Sequence, residues 1–120
     1  MRVLLVEDEP LNIILFKDVL EDDGHTVVIA NDGVAGRDLA LSQPFDLCIL
    51  DIHLPRLRGD EVVKQLRAAL VHGPVIALSS SALGSEVERG LLAGFDAYLT
   101  KPISPSELRD AVRRHGRRTA

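Results

Sequence analysis

The apolar run Cys48-Ile49-Leu50 ends abruptly at Asp51 and is followed by Ile52-His53-Leu54-Pro55. A short apolar run bounded by turn signals reads as a strand buried on both faces, which puts Asp51 at its C-terminal edge, an expensive place for a lone charge. Other apolar runs end in matched polar chemistry: Val3 to Val6 at Glu7-Asp8, Val75 to Leu78 at Ser79-Ser80-Ser81, and Tyr98-Leu99 at Thr100-Lys101-Pro102. These ends are expected to converge on Asp51. Carboxylates crowded at Glu7, Asp8 and Asp51 repel one another, so raised proton affinity, a cation or both must offset them. A few carboxylates with a backbone carbonyl and waters suit a hard divalent ion, Mg²⁺ or Mn²⁺. Zinc suits the pattern less, because near His53 there is no thiolate and no second histidine at a ligand spacing. The His53 side chain itself reads as an exposed rim residue. An aspartate beside such an ion, with a lysine and a hydroxyl on flanking strand ends, is equipped for phosphoryl transfer: Asp51 can attack phosphorus, Lys101 supplies an ammonium, and Ser79 can donate to a phosphoryl oxygen.

The elements that must position these groups follow in order along the chain. The first strand is Val3 to Val6. Pro10, behind Glu7-Asp8-Glu9, marks the start of a helix that runs to about Asp23 and stops at Gly24. Its apolar residues Leu11, Ile13, Ile14, Leu15, Phe16, Val19 and Leu20 exceed one narrow stripe, which predicts contact with both the sheet and a neighbouring helix or, alternatively, a docking surface. Thr26 to Ala30 reads as the second strand, and Asn31-Asp32-Gly33 opens a helix reaching Leu41. Phe45 to Leu50 is the third strand; a loop through Pro55 and Gly59 precedes a helix with Val62, Val63, Leu66 and Leu70 at core spacing. Val75 to Leu78 follows Gly73-Pro74, Gly84 to Ala93 is a helix weakened by Gly90, and Ala97 to Leu99 is a short fifth strand. Ser104-Pro105-Ser106-Glu107 opens the last helix as cap, first position and capping-box acid, with Leu108, Ala111 and Val112 facing inward. Five strands alternating with five helices predict an α/β fold with a doubly wound parallel sheet, whose ligand sites lie outside the carboxyl ends of the strands.

The 120 residues predict one domain over 1–120. With 46% hydrophobic and 27% charged residues the chain balances like a globular protein, and a formal charge of -4 gives no global pull toward nucleic acid or anionic lipid. The only cysteine, Cys48, lies in the central apolar run and reads as an unreactive buried thiol, which fits a reducing, cytoplasmic compartment. The opening apolar run is far too short for a signal or membrane-spanning segment. The basic tail Arg113-Arg114-His115-Gly116-Arg117-Arg118 reads as a solvated or protein-docking feature rather than a nucleic-acid contact.

Over essentially its whole length the chain resembles the CheY-like receiver domain of two-component response regulators. The resemblance is carried by Glu7-Asp8 after the first strand, Asp51 followed by Leu54-Pro55 and Gly59, the hydroxyl of Ser79, and Tyr98 three residues before Lys101-Pro102. It implies a flavodoxin-like sheet in the order 2-1-3-4-5 and phosphorylation of Asp51 by a histidine kinase or phosphotransfer protein. It implies Mg²⁺ held by Asp8, Asp51 and the backbone carbonyl of His53, with Glu7 acting through water. It further implies that Ser79 moves toward the phosphoryl group while Tyr98 changes rotamer, and that the Lys101-Pro102 bond is cis. Ser79 for the family's frequent threonine, Ser80 for alanine or glycine, Leu54 for methionine and Phe95 for a small residue depart from the common pattern without removing a reacting group.

The expected role is a signalling phosphoacceptor with at most self-phosphotransfer and autodephosphorylation activity, similar to stand-alone regulators of the DivK or chemotaxis kind. Its expected partners are a kinase or phosphotransfer protein and a downstream protein target, as a monomer or weak dimer. A receiver module from a hybrid histidine kinase and a receiver-like scaffold that is never phosphorylated are the alternatives. An aspartyl-phosphate phosphatase would want a carboxylate two residues after Asp51, where His53 stands.

Overall fold

The computed structural model describes residues 1–81 and 83–116. Strands β1 (Arg2–Val6), β2 (Thr26–Ala30), β3 (Leu47–Asp51), β4 (Val75–Ser79) and β5 (Ala97–Thr100) alternate with helices α1 (Pro10–Asp22), α2 (Gly33–Ser42), α3 (Gly59–Ala68), α4 (Gly84–Ala93) and α5 (Pro105–His115). All pairings are parallel and the strand order is β2-β1-β3-β4-β5. Chain direction thus reverses its winding between β1 and β3, where the carboxyl ends of two neighbouring strands leave a crevice. Every residue of β3 and of β4 is buried, as expected of strands covered on both faces.

Two apolar layers do the covering. Leu4, Val6, Leu50 and Ala77 meet Val62, Val63 and Leu66 of α3 on one side. On the other, Val3, Leu5, Ile49 and Ile76 meet Phe16 and Leu20 of α1 and Leu108 and Val112 of α5. Alternate residues of each strand serve opposite layers, so register fixes which side chains emerge at the carboxyl edge.

Caps match the local sequence. Glu9 caps α1 through its side chain onto the Leu11 N–H with Pro10 in the first turn, and Asp32 caps α2 at Ala35. At α5 the Ser104 hydroxyl accepts from the Glu107 N–H, but the Glu107 carboxylate bonds the hydroxyl rather than the cap's backbone. Three expectations need correction. Leu70 is 74% exposed and lies beyond α3 at φ 62, where a left-handed turn has already left the helix face. The third strand begins at Leu47, because Asp46 accepts the Arg2 N–H and closes a loop there. The helix start at Gly59 lies within the turn expected to precede it. On α1 the expected contact with both the sheet and a neighbouring helix holds through Phe16, Val19 and Leu20, which pack with α5, while Leu11, Ile14 and Leu15 stay exposed and are not spent on the core. Of the basic tail, Arg117 and Arg118 lie outside the described residues.

Candidate functional site

Register brings the site together. Val6 pairs with Leu50 and Asp51 with Leu78, while Ser79 pairs with Thr100. Glu7 and Asp51 therefore leave adjacent strands at the same level, with Ser79 and Lys101 one and two strands away. One oxygen from each of Glu7, Asp8 and Asp51 lies within 4.8 Å of the others. Lys101 spans the strands from the far side: its Nζ donates to Glu7 Oε1 at 2.7 Å and to Asp51 Oδ2 at 2.5 Å. Its backbone N–H donates to the Ser79 carbonyl at 2.7 Å, which fixes where the side chain starts, and the Lys101-Pro102 bond is cis.

Burial and charge are unequal across the cluster. Glu7 is fully buried and Asp51 nearly so, whereas Asp8 is exposed. Burial lifts the Glu7 carboxyl above its ordinary value, and the neighbouring Asp51 pushes the same way, against the Lys101 ammonium. For Lys101 burial acts to lower the pKa, but hydrogen bonds and charge from Asp51 and Glu7 outweigh it and the ammonium is held above its ordinary value. Three carboxylates against one ammonium leave an excess that a divalent cation would balance, and an all-oxygen donor set at this spacing suits a hard ion.

The loop after β3 is held on both sides. The His53 N–H donates to Asp51 Oδ1 at 2.8 Å, which fixes the carboxylate's orientation, while the His53 side chain is exposed. The Gly59 N–H reaches the Ile52 carbonyl at 2.8 Å, and a Cβ at Gly59 would overlap the Asp51 carbonyl oxygen. The Gly33 N–H donates to the Pro55 carbonyl at 3.1 Å, and a Cβ there would overlap the Leu57 carbonyl oxygen. Gly59 was marked in the sequence by the family resemblance and by the loop expected after Asp51, whereas Gly33 figured only in the turn signal Asn31-Asp32-Gly33.

Ser79 is fully buried, and its Oγ accepts from the Ser81 N–H at 3.1 Å. The half-buried Tyr98 packs against the layer that includes Ile52 and Phe95, and its hydroxyl donates to the Ser81 carbonyl at 3.0 Å. The expected residues Glu7, Asp8, Asp51, Lys101, Ser79 and the His53 backbone thus share one crevice, with Tyr98 linked to it through Ser81. Among the described residues no helix is long and apolar enough to cross a membrane.

Comparison with known proteins decides the family. The model of the response regulator receiver domain matches residues 3–113. The chain belongs to the response regulator receiver family. It is 40% identical over 104 residues to the polar-differentiation response regulator DivK of Brucella ovis, covering 85% of each chain. It is 36% identical over 116 residues to the sensor histidine kinase GacS of Pseudomonas protegens, covering 92% of this chain but only 13% of that kinase. The chain thus spans a small part of the kinases it matches. Among solved structures, the receiver domain of sensor histidine kinase PA1611 from Pseudomonas aeruginosa PAO1, with a magnesium ion coordinated in its active site cleft, superposes with a TM-score of 0.88 at 34% identity, covering 95% of both chains. The Francisella response regulator 1452 receiver domain gives 0.90 at 32% identity, covering 94% of this chain and 93% of that one. The fold is CheY-like and the chain is a receiver domain of the two-component kind.

Proposed function

We propose that Asp51 is the phosphoacceptor and that the crevice transfers a phosphoryl group to it from a phosphohistidine of a kinase or phosphotransfer protein. The observation that carries this reading is the convergence of Asp51, the Lys101 ammonium and the Glu7-Asp8 pair at one end of the sheet. A carboxylate oxygen of Asp51 attacks phosphorus as the donor's N–P bond breaks, and the leaving imidazole takes up a proton. Lys101 stands where an ammonium can neutralise oxygen charge on the transferring group, and Ser79 carries a hydroxyl that can turn to donate to it. The His53 N–H restricts Asp51 to the rotamer that presents its second oxygen. Asp8, Asp51 and the backbone carbonyl of His53 would hold Mg²⁺, with Glu7 acting through water. The bound ion supplies positive charge that offsets the phosphoryl oxygens.

Self-phosphotransfer from a small phosphodonor and slow self-dephosphorylation are proposed as the only catalysis. Leu11, Ile14 and Leu15, exposed on the helix that begins two residues after Asp8, form the docking face for the phosphodonor protein. The chain is read as one domain acting through protein contacts in the cytoplasm, with a second protein as target. Intact-mass measurement after incubation with Mg²⁺ and acetyl phosphate tests the reading: one labile phosphoryl group is expected in the native chain and none in Asp51→Asn. An unmodified native chain would favour a scaffold.

A further inference from the structure

Helix α4 ends in a pair of crossed backbone bonds: the Phe95 N–H reaches the Gly90 carbonyl at 3.4 Å and the Gly94 N–H the Leu91 carbonyl at 3.2 Å, with Gly94 at φ 126. In this type of helix end an apolar side chain at the position of Gly90 or the one before it frequently meets the residue in the position of Phe95. Here that side chain is missing. A Cβ built on Gly90 would lie 3.2 and 3.3 Å from Cδ2 and Cε2 of Tyr98 and 3.6 Å from Cδ2 of Phe95. The phenol ring lies against the bare glycine, close enough that a methyl group there would push it by a few tenths of an ångström, with the buried Phe95 beside the same position and the ring's hydroxyl bonded to the Ser81 carbonyl. Glycine in a helix interior is unfavourable relative to alanine, so the sequence forgoes helix stability at this position.

The geometry points to Gly90 as a positioning residue that sets the resting place of Tyr98. By leaving α4 bare where the ring lies, it holds the tyrosine inward while Ser79 is still bonded to the Ser81 N–H. The ring's position is therefore determined by α4 and Phe95 before anything happens at Asp51. The larger Phe95, set against a residue with no side chain, borders the ring's place on one side. This inference goes beyond the phosphoacceptor reading and stands on the ring's surroundings alone.

The chain has one tyrosine and no tryptophan, so its intrinsic emission reports Tyr98 and nothing else. Acrylamide quenching of that emission, measured on the full chain without any phosphodonor, tests the inference independently of whether Asp51 accepts phosphate. The native chain should be quenched weakly compared with the urea-unfolded chain. Gly90→Ala should raise the quenching constant about twofold, and Gly90→Leu, which crowds the ring, should bring it close to the unfolded value, as a shifted ring population requires. Gly84→Ala, on the same helix with open space around its Cβ, should behave as native, with far-ultraviolet circular dichroism confirming the fold of each variant. A folded Gly90→Leu quenched like the native chain would overturn the inference, as would a native chain quenched as freely as the unfolded one. Should Gly90→Leu fail to fold, Gly90→Ala decides alone, a value equal to native overturning it.

Discussion

At the scale of single residues, the site is an electrostatic compromise centred on Lys101. Its ammonium is the only cation bonded to either Glu7 or Asp51 among the described residues, and Glu7 is fully buried. Lys101→Ala should therefore destabilise the chain by about 3 kcal/mol, the cost of leaving a buried charge without its partner, as read from urea unfolding at neutral pH. Mg²⁺ should restore part of that loss. Cys48 shows the opposite use of burial: its thiol is pushed up to about 12 by desolvation, against the charge of Arg67. Iodoacetamide at pH 8 should leave it unmodified in the native chain and alkylate it once the chain is unfolded. Because the folded value lies above the unfolded one, the contribution of this thiol to stability is intact below the ordinary thiol range. It is lost as the pH rises toward 12.

At the scale of elements, helix ends and loops aim the groups that strands deliver. Gly33 and Gly59 each meet a backbone carbonyl first, and no flexible side-chain end stands nearest to yield to a methyl group. Gly59→Ala should cost about 2 to 3 kcal/mol by overpacking in urea unfolding and should disturb the Asp51 carbonyl directly. The exposed side of α1 behaves differently. Leu11→Ser with Ile14→Ser should shift stability by about 0.5 kcal/mol at most, since neither is buried, yet should slow phosphoryl transfer from a cognate protein donor while leaving acetyl phosphate unaffected. The apolar pattern of α1 announced an excess of hydrophobic surface, but periodicity cannot tell a second packing partner from an open face. Likewise Leu70 fits the helical period of α3, and only the left-handed turn at its own position removes it from the core. That the sheet is parallel and covered on both faces, by contrast, follows from the alternation of elements and the continuous apolar runs of the buried strands, whereas the order 2-1-3-4-5 came only with the family resemblance.

At the scale of the whole molecule, the fold gathers residues up to 94 positions apart, as in the Lys101 to Glu7 bond. Glu7, Asp8, Asp51, Ser79 and Lys101 were legible because each follows an apolar run, whereas the His53 carbonyl and Tyr98 entered only through the family resemblance. The part that Gly33 plays in holding the loop, and the close approach of Tyr98 to Gly90, were not legible, since a missing side chain gains meaning only when its neighbour in space is known. A cation that binds the folded crevice and not the unfolded chain must raise the melting temperature in proportion to the logarithm of its concentration. Mg²⁺ should do so for the native chain and far less for Asp8→Asn, as followed by circular dichroism against an EDTA control. The claim on which the rest depends concerns one carboxylate. Borohydride reduction of the chain after exposure to acetyl phosphate and Mg²⁺, followed by peptide mapping, reads the acceptor directly. Reduction confined to residue 51 is the predicted result; modification at Glu7, Asp8 or another carboxylate, or none at any, would contradict the account.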